Sequence, residues 1–152
     1  SYFETFPRNK GLVLVMAGML RIFGDTQVSF RILNLVGAGL LFLCVCLTVK
    51  KVWKNAGLTI MTAFCLMCFY PIIIYTSYLY GTLLSAAFSS LSIFMAVSFC
   101  EDKKIAELAV SAVSMGIAMQ MHQSAAIAMI AILFYILVHM KKEMVLKVFL
   151  YF

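Results

Sequence analysis

Charged residues are scarce in this chain, and their scarcity excludes a soluble globular domain. Only 12% of the 152 residues are charged and 64% are hydrophobic, whereas about a quarter charged and about half apolar is usual in soluble domains. A domain of this size cannot bury so much apolar surface, so the chain requires a lipid bilayer as its solvent. We therefore expect an all-α, polytopic membrane helix bundle.

The motifs of several common enzyme and binding classes are also missing. The sequence contains no Walker motif, no Ser-His-Asp set, no paired carboxylates and no His/Cys cluster, so the residues themselves indicate neither a metal site nor a cofactor. The five cysteines lie inside or beside apolar runs, where they act as small hydrophobic residues. The net charge of +6 comes from short basic clusters between apolar runs. Membrane topology signals have this pattern, and a nucleic-acid surface does not.

Five apolar runs predict transmembrane helices, at residues 28–49, 56–75, 82–99, 105–121 and 124–140. Pro71 is expected to break the second run near its end. Before the first run lies a loop that contains Pro7, then an apolar stretch at 11–23 that is too short to span. Such a stretch predicts a helix along the membrane surface. We therefore divide the chain into an outer segment, 1–27, and an incomplete helix bundle, 28–152.

The ends of the sequence suggest a piece of a larger protein. It starts without Met, and a new apolar run begins at about Lys147. We therefore expect further membrane-associated sequence on both sides.

The distribution of Lys and Arg predicts the orientation in the membrane. The loops after the first, third and fifth runs, with the sequence that follows the fifth, carry eight lysines, and the loops after the second and fourth carry no Lys or Arg. Basic loops stay in the cytoplasm, so the N-terminal segment is predicted to lie outside a bacterial cell membrane. Four basic residues within the first 34 positions, at the predicted outer side, depart from this bias: Arg8, Lys10, Arg21 and Arg31.

Arg8 and Lys10 precede the surface helix and are the candidate lipid-phosphate site. Basic side chains at headgroup depth bind phosphate or diphosphate groups well. The alternative is that both side chains simply extend from the membrane surface into water.

Four further polar residues lie at the junction between the surface helix and the first span. Asp25 is expected to pair with Arg21 or Arg31, and Asn34 follows Arg31 by three positions on the same helix face. For these four residues a structural role, in which they fix the outer segment to the bundle, is favoured over a catalytic role.

Two other outer segments carry possible substrate contacts. Tyr78 and Tyr80 form an aromatic rim after the second span, which serves either as an ordinary aromatic belt or as a surface for sugar stacking. His122 and Gln123 lie in the hairpin after the fourth span. They are either polar caps or ligand contacts. Ligand contact is considered because the hairpin is predicted to be on the same side as Arg8 and Lys10.

Several of these segments together resemble the GT-C class of membrane glycosyltransferases. The residues that carry the resemblance are the motif FPRNKG at 6–11, the turn IFGD at 22–25, the segment FRILN at 30–34, LYGT at 79–82 and MHQ at 121–123. The branch that they resemble is family 39, which includes bacterial relatives of protein O-mannosyltransferases and aminoarabinose transferases.

The resemblance implies transfer of a sugar from a polyprenyl-phosphate donor to an unidentified acceptor on the outer membrane face. It implies that Arg8 and Lys10 neutralise the lipid phosphate. It also implies a catalytic carboxylate early in the first outer loop, ahead of Ser1. Glu4 does not match that position and is given no catalytic role. Many relatives carry a basic residue in the second outer hairpin, where this chain has Gln120 to Gln123 with His122, and some relatives use a divalent metal.

Two other classes stay open at this point. A multi-span transporter or lipid flippase would share the spans and an outer anion site, but it should show broken helices or polar residues at the midplane of several spans. Here only Pro71 points in that direction. A non-catalytic membrane scaffold would not need the outer basic residues.

Overall fold

The computed structural model describes residues 10–24, 26–77 and 81–139, and these residues form seven α-helices and no strand. The prediction of an all-α membrane bundle is confirmed. The helices are α1 (Lys10–Phe23), α2 (Thr26–Trp53), α3 (Ala56–Met67), α4 (Tyr70–Ser77), α5 (Thr82–Asp102), α6 (Ile105–Met121) and α7 (Ala125–His139).

Helix α5 is the centre of the bundle, because it packs against α2, α6 and α7 and also contacts α4. Its buried side chains are mostly small, and five of them are serines: Ser85, Ser89, Ser90, Ser92 and Ser98. Small side chains let helix backbones approach closely where lipid supplies no hydrophobic driving force between helices. The larger buried residues, such as Met115 of α6 and Ile136 of α7, then fill the space around α5.

Serine hydroxyls join α5 to α6 along their length. The hydroxyl groups of Ser92 and Ser111 lie 2.9 Å apart, and each also lies within 2.9 Å of the other residue's carbonyl oxygen. Near the other end of the pair, Ser85 Oγ donates to the carbonyl of Ala118 at 3.0 Å. These hydrogen bonds satisfy buried hydroxyl groups and fix the register of the two helices.

The lengths of the helices bear on the predicted number of spans. Helices α2 and α5 are long and apolar enough to cross a membrane, and α3 with α4 adds a third span if the bent pair is counted as one. Helices α6 and α7 have 17 and 15 residues, or about 26 and 23 Å, which is less than the roughly 30 Å of a hydrocarbon core. The described residues therefore support two or three spans by length, and five spans stay a prediction.

The second predicted span is broken where Pro71 was expected to break it. Helix α3 ends at Met67, α4 begins at Tyr70, and the two axes differ by 52°. Proline lacks an N–H group, and its ring collides with the carbonyl of the residue four positions earlier, which here is Met67. The chain therefore changes direction and then resumes as a shorter helix.

The loops divide the bundle into two ends. The basic end contains the close of α2 and the α5–α6 connection, where Lys51 Nζ lies 3.1 Å from Asp102 Oδ2 and 3.7 Å from Glu101 Oε2. Helix α2 continues through Lys50 to Trp53, so the loop that was predicted to begin after residue 49 begins one turn later. The opposite end, which we call the α1 end, contains α1 and the α6–α7 turn.

Candidate functional site

Helix α1 meets the end of α6 at a glycine contact. A methyl group added to Gly11 would lie 2.8 Å from Cβ of Gln120, which is closer than real Cβ atoms approach, and 3.0 Å from the carbonyl oxygen of the same residue. A methyl group on Gly81, just before α5, would lie 2.9 Å from the carbonyl oxygen of Met121. Glycine at both positions therefore lets α1, α5 and α6 converge at the α1 end.

The other end of α1 is held near the start of α2. Gly24 has φ +69° and its N–H donates to the carbonyl of Leu20 at 2.9 Å, so it ends α1 in the left-handed conformation that favours glycine. Ser29 is fully buried and its hydroxyl lies 3.5 Å from the carbonyl of Met19. Helix α1 is thus attached to α6 at its first turn and to α2 near its last.

Between these two attachments, α1 covers an apolar groove of about 700 Å³. Its lining residues come from α1 (Gly11, Leu14 and Val15), from α2 (Leu33) and from α5 and α6. The groove reaches the Gly11–Gln120 contact, so its end lies beside the polar α6–α7 turn. The α5 and α6 residues that line it are Leu84, Phe88, Val113, Gly116, Ile117, Gln120 and Met121.

The α6–α7 turn places two of the predicted substrate contacts at the surface. His122 and Gln123 are both exposed, and a cavity of about 290 Å³ is lined by Met119, Gln120, Gln123 and Ala126. The Nδ1 atom of His122 lies 2.8 Å from Ser124 Oγ and 3.2 Å from the backbone nitrogen of Ser124. The imidazole is therefore held against the first turn of α7.

The predicted structural set does not share one environment. Asn34 is buried, with 1% of its surface exposed, and its Nδ2 donates to the carbonyls of Tyr75 and Thr76 at 3.4 and 3.3 Å. Arg31 is exposed although it precedes Asn34 by only one turn, and Arg21 is exposed as well. Arg31 and Asn34 lie three positions apart in α2, as expected, but they differ in burial, because α4 covers Asn34 and leaves Arg31 exposed.

Several predicted residues lie outside the described part of the chain. These are Arg8, Asp25, Tyr78 and Tyr80. Lys10 is the first residue of α1, but only its backbone belongs to the described part of the chain. Among residues 10–24, 26–77 and 81–139, no group of three His, Cys, Asp or Glu side chains is placed to hold a metal.

Sequence reasoning missed the residues that shape the site. Gly11 could have been suspected, because glycine next to a predicted helix often marks a close backbone approach. Ser124 follows His122 by two positions at a helix start, a spacing at which local side-chain to backbone hydrogen bonds are common. The groove had no such signal, because its walls come from four separate helices.

Comparison with known proteins identifies a family. The family model described as dolichyl-phosphate-mannose-protein mannosyltransferase matches residues 11–152. No curated protein and no solved structure matches the chain. The matched range covers all seven helices except the first residue of α1.

Proposed function

Because this chain belongs to the dolichyl-phosphate-mannose-protein mannosyltransferase family of GT-C membrane glycosyltransferases, we propose that the full-length protein transfers a sugar from a polyprenyl-phosphate donor to an acceptor on the outer face of a bacterial cell membrane. The lipid-linked donor and membrane lipids are its proposed partners, and the acceptor is unspecified.

The groove beneath α1 is the observation that carries this proposal. A polyprenyl phosphate combines a long apolar chain with one anionic group, so its site must join an apolar channel to polar side chains. The groove is apolar along its length and ends at the Gly11–Gln120 contact. Lys10 precedes Gly11, and His122 follows Gln120 by two residues. Both are therefore close in sequence to the contact at which the groove ends.

The proposed chemistry requires charge stabilisation at that polar end. When the sugar–phosphate bond breaks, negative charge develops on the departing phosphate, and preorganised cations or hydrogen-bond donors lower the barrier. We assign this role to Arg8 and Lys10, with Tyr78, Tyr80, His122 and Gln123 as contacts to the donor or acceptor. A general base must also accept the proton of the acceptor hydroxyl, and no residue of this sequence is assigned to that step.

A transporter or flippase is less well supported. Transporters usually break several helices near the bilayer midplane. In the described residues only the α3–α4 pair is bent in this way, and the family that matches the chain is one of transferases.

The test uses Gly116, which lines the groove and where an added Cβ atom would meet nothing within 4 Å. Gly116→Leu should therefore place a side chain in the groove without displacing the backbone. In a bilayer, a lipid tail of the same polarity fills the groove when the polyprenyl chain is absent. The exchange of one for the other therefore changes the hydrophobic free energy very little. The cost arises because the displaced chain pulls its phosphate out of alignment, and losing one charge-assisted hydrogen bond costs about 1.5–3 kcal/mol, or roughly 10- to 150-fold in affinity.

The measurement is the binding of a polyprenyl phosphate to the full-length protein in nanodiscs. The matched control is Gly39→Leu in α2, since Gly39 also has open space around it and does not line the groove. We expect Gly116→Leu and Lys10→Gln to weaken binding and Gly39→Leu to leave it unchanged. If the wild-type protein binds no polyprenyl phosphate, or if the two leucine variants behave alike, the proposed function is wrong.

A further inference from the structure

The imidazole of His122 is held in one tautomer by its neighbour. A backbone N–H can only donate, and the N–H of Ser124 is directed at Nδ1 of His122 at 3.2 Å. Nδ1 must therefore be the acceptor, and the proton of the neutral ring must be on Nε2. The hydroxyl of Ser124, 2.8 Å from the same atom, reinforces this arrangement when it donates to Nδ1.

The start of α7 does not need the Ser124 hydroxyl as a cap. A serine just before a helix usually accepts a hydrogen bond from an N–H of the first turn. Here the N–H groups of Ala125, Ala126 and Ile127 donate to the carbonyls of His122, Gln123 and Ser124, at 3.2, 3.0 and 3.1 Å respectively. Because these three donors already have acceptors, the hydroxyl is available to His122.

We infer that Ser124 is a positioning residue, which holds His122 in its Nε2–H tautomer so that the neutral ring presents a hydrogen-bond donor to the phosphate or sugar oxygens of the polyprenyl-phosphate substrate. The inference rests on the proposed function for the identity of the ligand. His122 is exposed at the α1 end, where a ligand can reach it. Neutral imidazole offers one directed donor, whereas a lysine would offer a point charge with three.

The chain contains an internal reference for this tautomer. His139, at the basic end, has Nδ1 at 3.0 Å from the carbonyl oxygen of Tyr135. A carbonyl can only accept, so His139 must carry its proton on Nδ1 when neutral. The two histidines are therefore expected to have opposite tautomers in the same sample.

The first measurement is nitrogen NMR of the full-length protein with labelled histidine, at about pH 8.5, above the range in which free imidazole titrates. Single variants His122→Gln and His139→Gln assign the two signals. We expect an unprotonated Nδ1 for His122 and a protonated Nδ1 for His139. The Nδ1 resonance of His122 should move in Ser124→Ala and stay in place in Ser124→Thr, which keeps the hydroxyl. A protonated Nδ1 at His122, or no movement in Ser124→Ala, overturns the inference.

The second measurement asks whether Ser124 acts through His122. Binding of farnesyl phosphate, a short polyprenyl phosphate, is compared for wild type, Ser124→Ala, His122→Gln and the double variant. Loss of one ordinary hydrogen bond predicts about 3- to 10-fold weaker binding for Ser124→Ala. The same change should have no effect when His122 is already Gln, and Ser124→Thr should restore wild-type binding.

The outcomes separate the inference from the proposed function. If wild type binds farnesyl phosphate and Ser124→Ala binds equally well, the positioning role is wrong while the lipid-phosphate site stands. If Ser124→Ala weakens binding equally in both backgrounds, Ser124 acts through the fold and the inference is again overturned. If wild type does not bind the lipid at all, the proposed function fails and the ligand role of His122 fails with it.

Discussion

Replacing Gly11 with Ala should detach the first turn of α1 from the end of α6. The added methyl carbon would lie 2.8 Å from Gln120 Cβ, 3.0 Å from its carbonyl oxygen and 3.3 Å from its carbonyl carbon. Two of these three atoms are backbone, so they cannot move aside by changing a rotamer. The helix itself must retreat, and the polar end of the groove must widen with it.

The size of the effect follows from ordinary contact distances. Carbon atoms pack best about 3.5–4.0 Å apart, so the methyl group must withdraw by about 0.7–1.2 Å. Overpacking of this kind costs about 1–3 kcal/mol. The change from Gly to Ala in a helix gains up to about 1 kcal/mol in propensity. The matched control is Gly18→Ala in the same helix, where a methyl group meets no atom within 4 Å, so only the gain should appear there.

Amide hydrogen exchange of α1 measures this difference locally, whatever the length of the whole protein. A difference of about 1–3 kcal/mol between the two variants corresponds to exchange that is roughly 5- to 150-fold faster in Gly11→Ala than in Gly18→Ala. Polyprenyl-phosphate binding should weaken in Gly11→Ala alone. Equal protection of α1 in the two variants would refute the close contact between Gly11 and Gln120, and with it the geometry of the groove.

Two further predictions test the packing and the orientation of the bundle. Ser92→Ala and Ser111→Ala should each destabilise the protein by about 0.5–1.5 kcal/mol. Because either substitution alone removes the bond between the two hydroxyl groups, which lie 2.9 Å apart, the double variant should cost less than the sum of the single variants; additive losses in thermal denaturation would contradict a direct bond between the hydroxyls. In a protein freed of native cysteines, a membrane-impermeant maleimide should label Gln123→Cys in intact cells and Lys54→Cys only after permeabilisation. The opposite labelling would reverse the proposed topology.

The helices were largely predictable from the sequence, because apolar runs and breakers act locally. The run at 105–121 coincides with α6, and the interruption before Pro71 follows from the missing N–H of proline. The end of α2 was placed one turn too early at Lys50. Lysine is a good helix former whose long side chain reaches water from a helix that continues past the hydrocarbon, so a basic cluster does not by itself end a helix.

The site was only partly predictable, because its contacts join distant parts of the chain. The sequence placed Lys10 and His122 on the same side of the membrane, and the structure brings the neighbouring residues Gly11 and Gln120 into contact. The difference in burial between Arg31 and Asn34 was not predictable. Helical spacing shows which residues share a face of their own helix, but it does not show that α4 would cover Asn34 alone.

The manner in which α1 is attached explains why a groove exists beneath it. Lipid tails are as apolar as Leu or Val, so apolar burial alone gives α1 no reason to pack against the bundle. Its attachments are instead local: the backbone approach at Gly11 and the junction with α2 around Gly24 and Ser29. Between them Met16 is buried against the bundle while Leu14 and Val15 line the groove, and an apolar chain can lie in that space without displacing water. A helix held at both ends is suited to guide a lipid-linked substrate toward the polar residues beside its first turn.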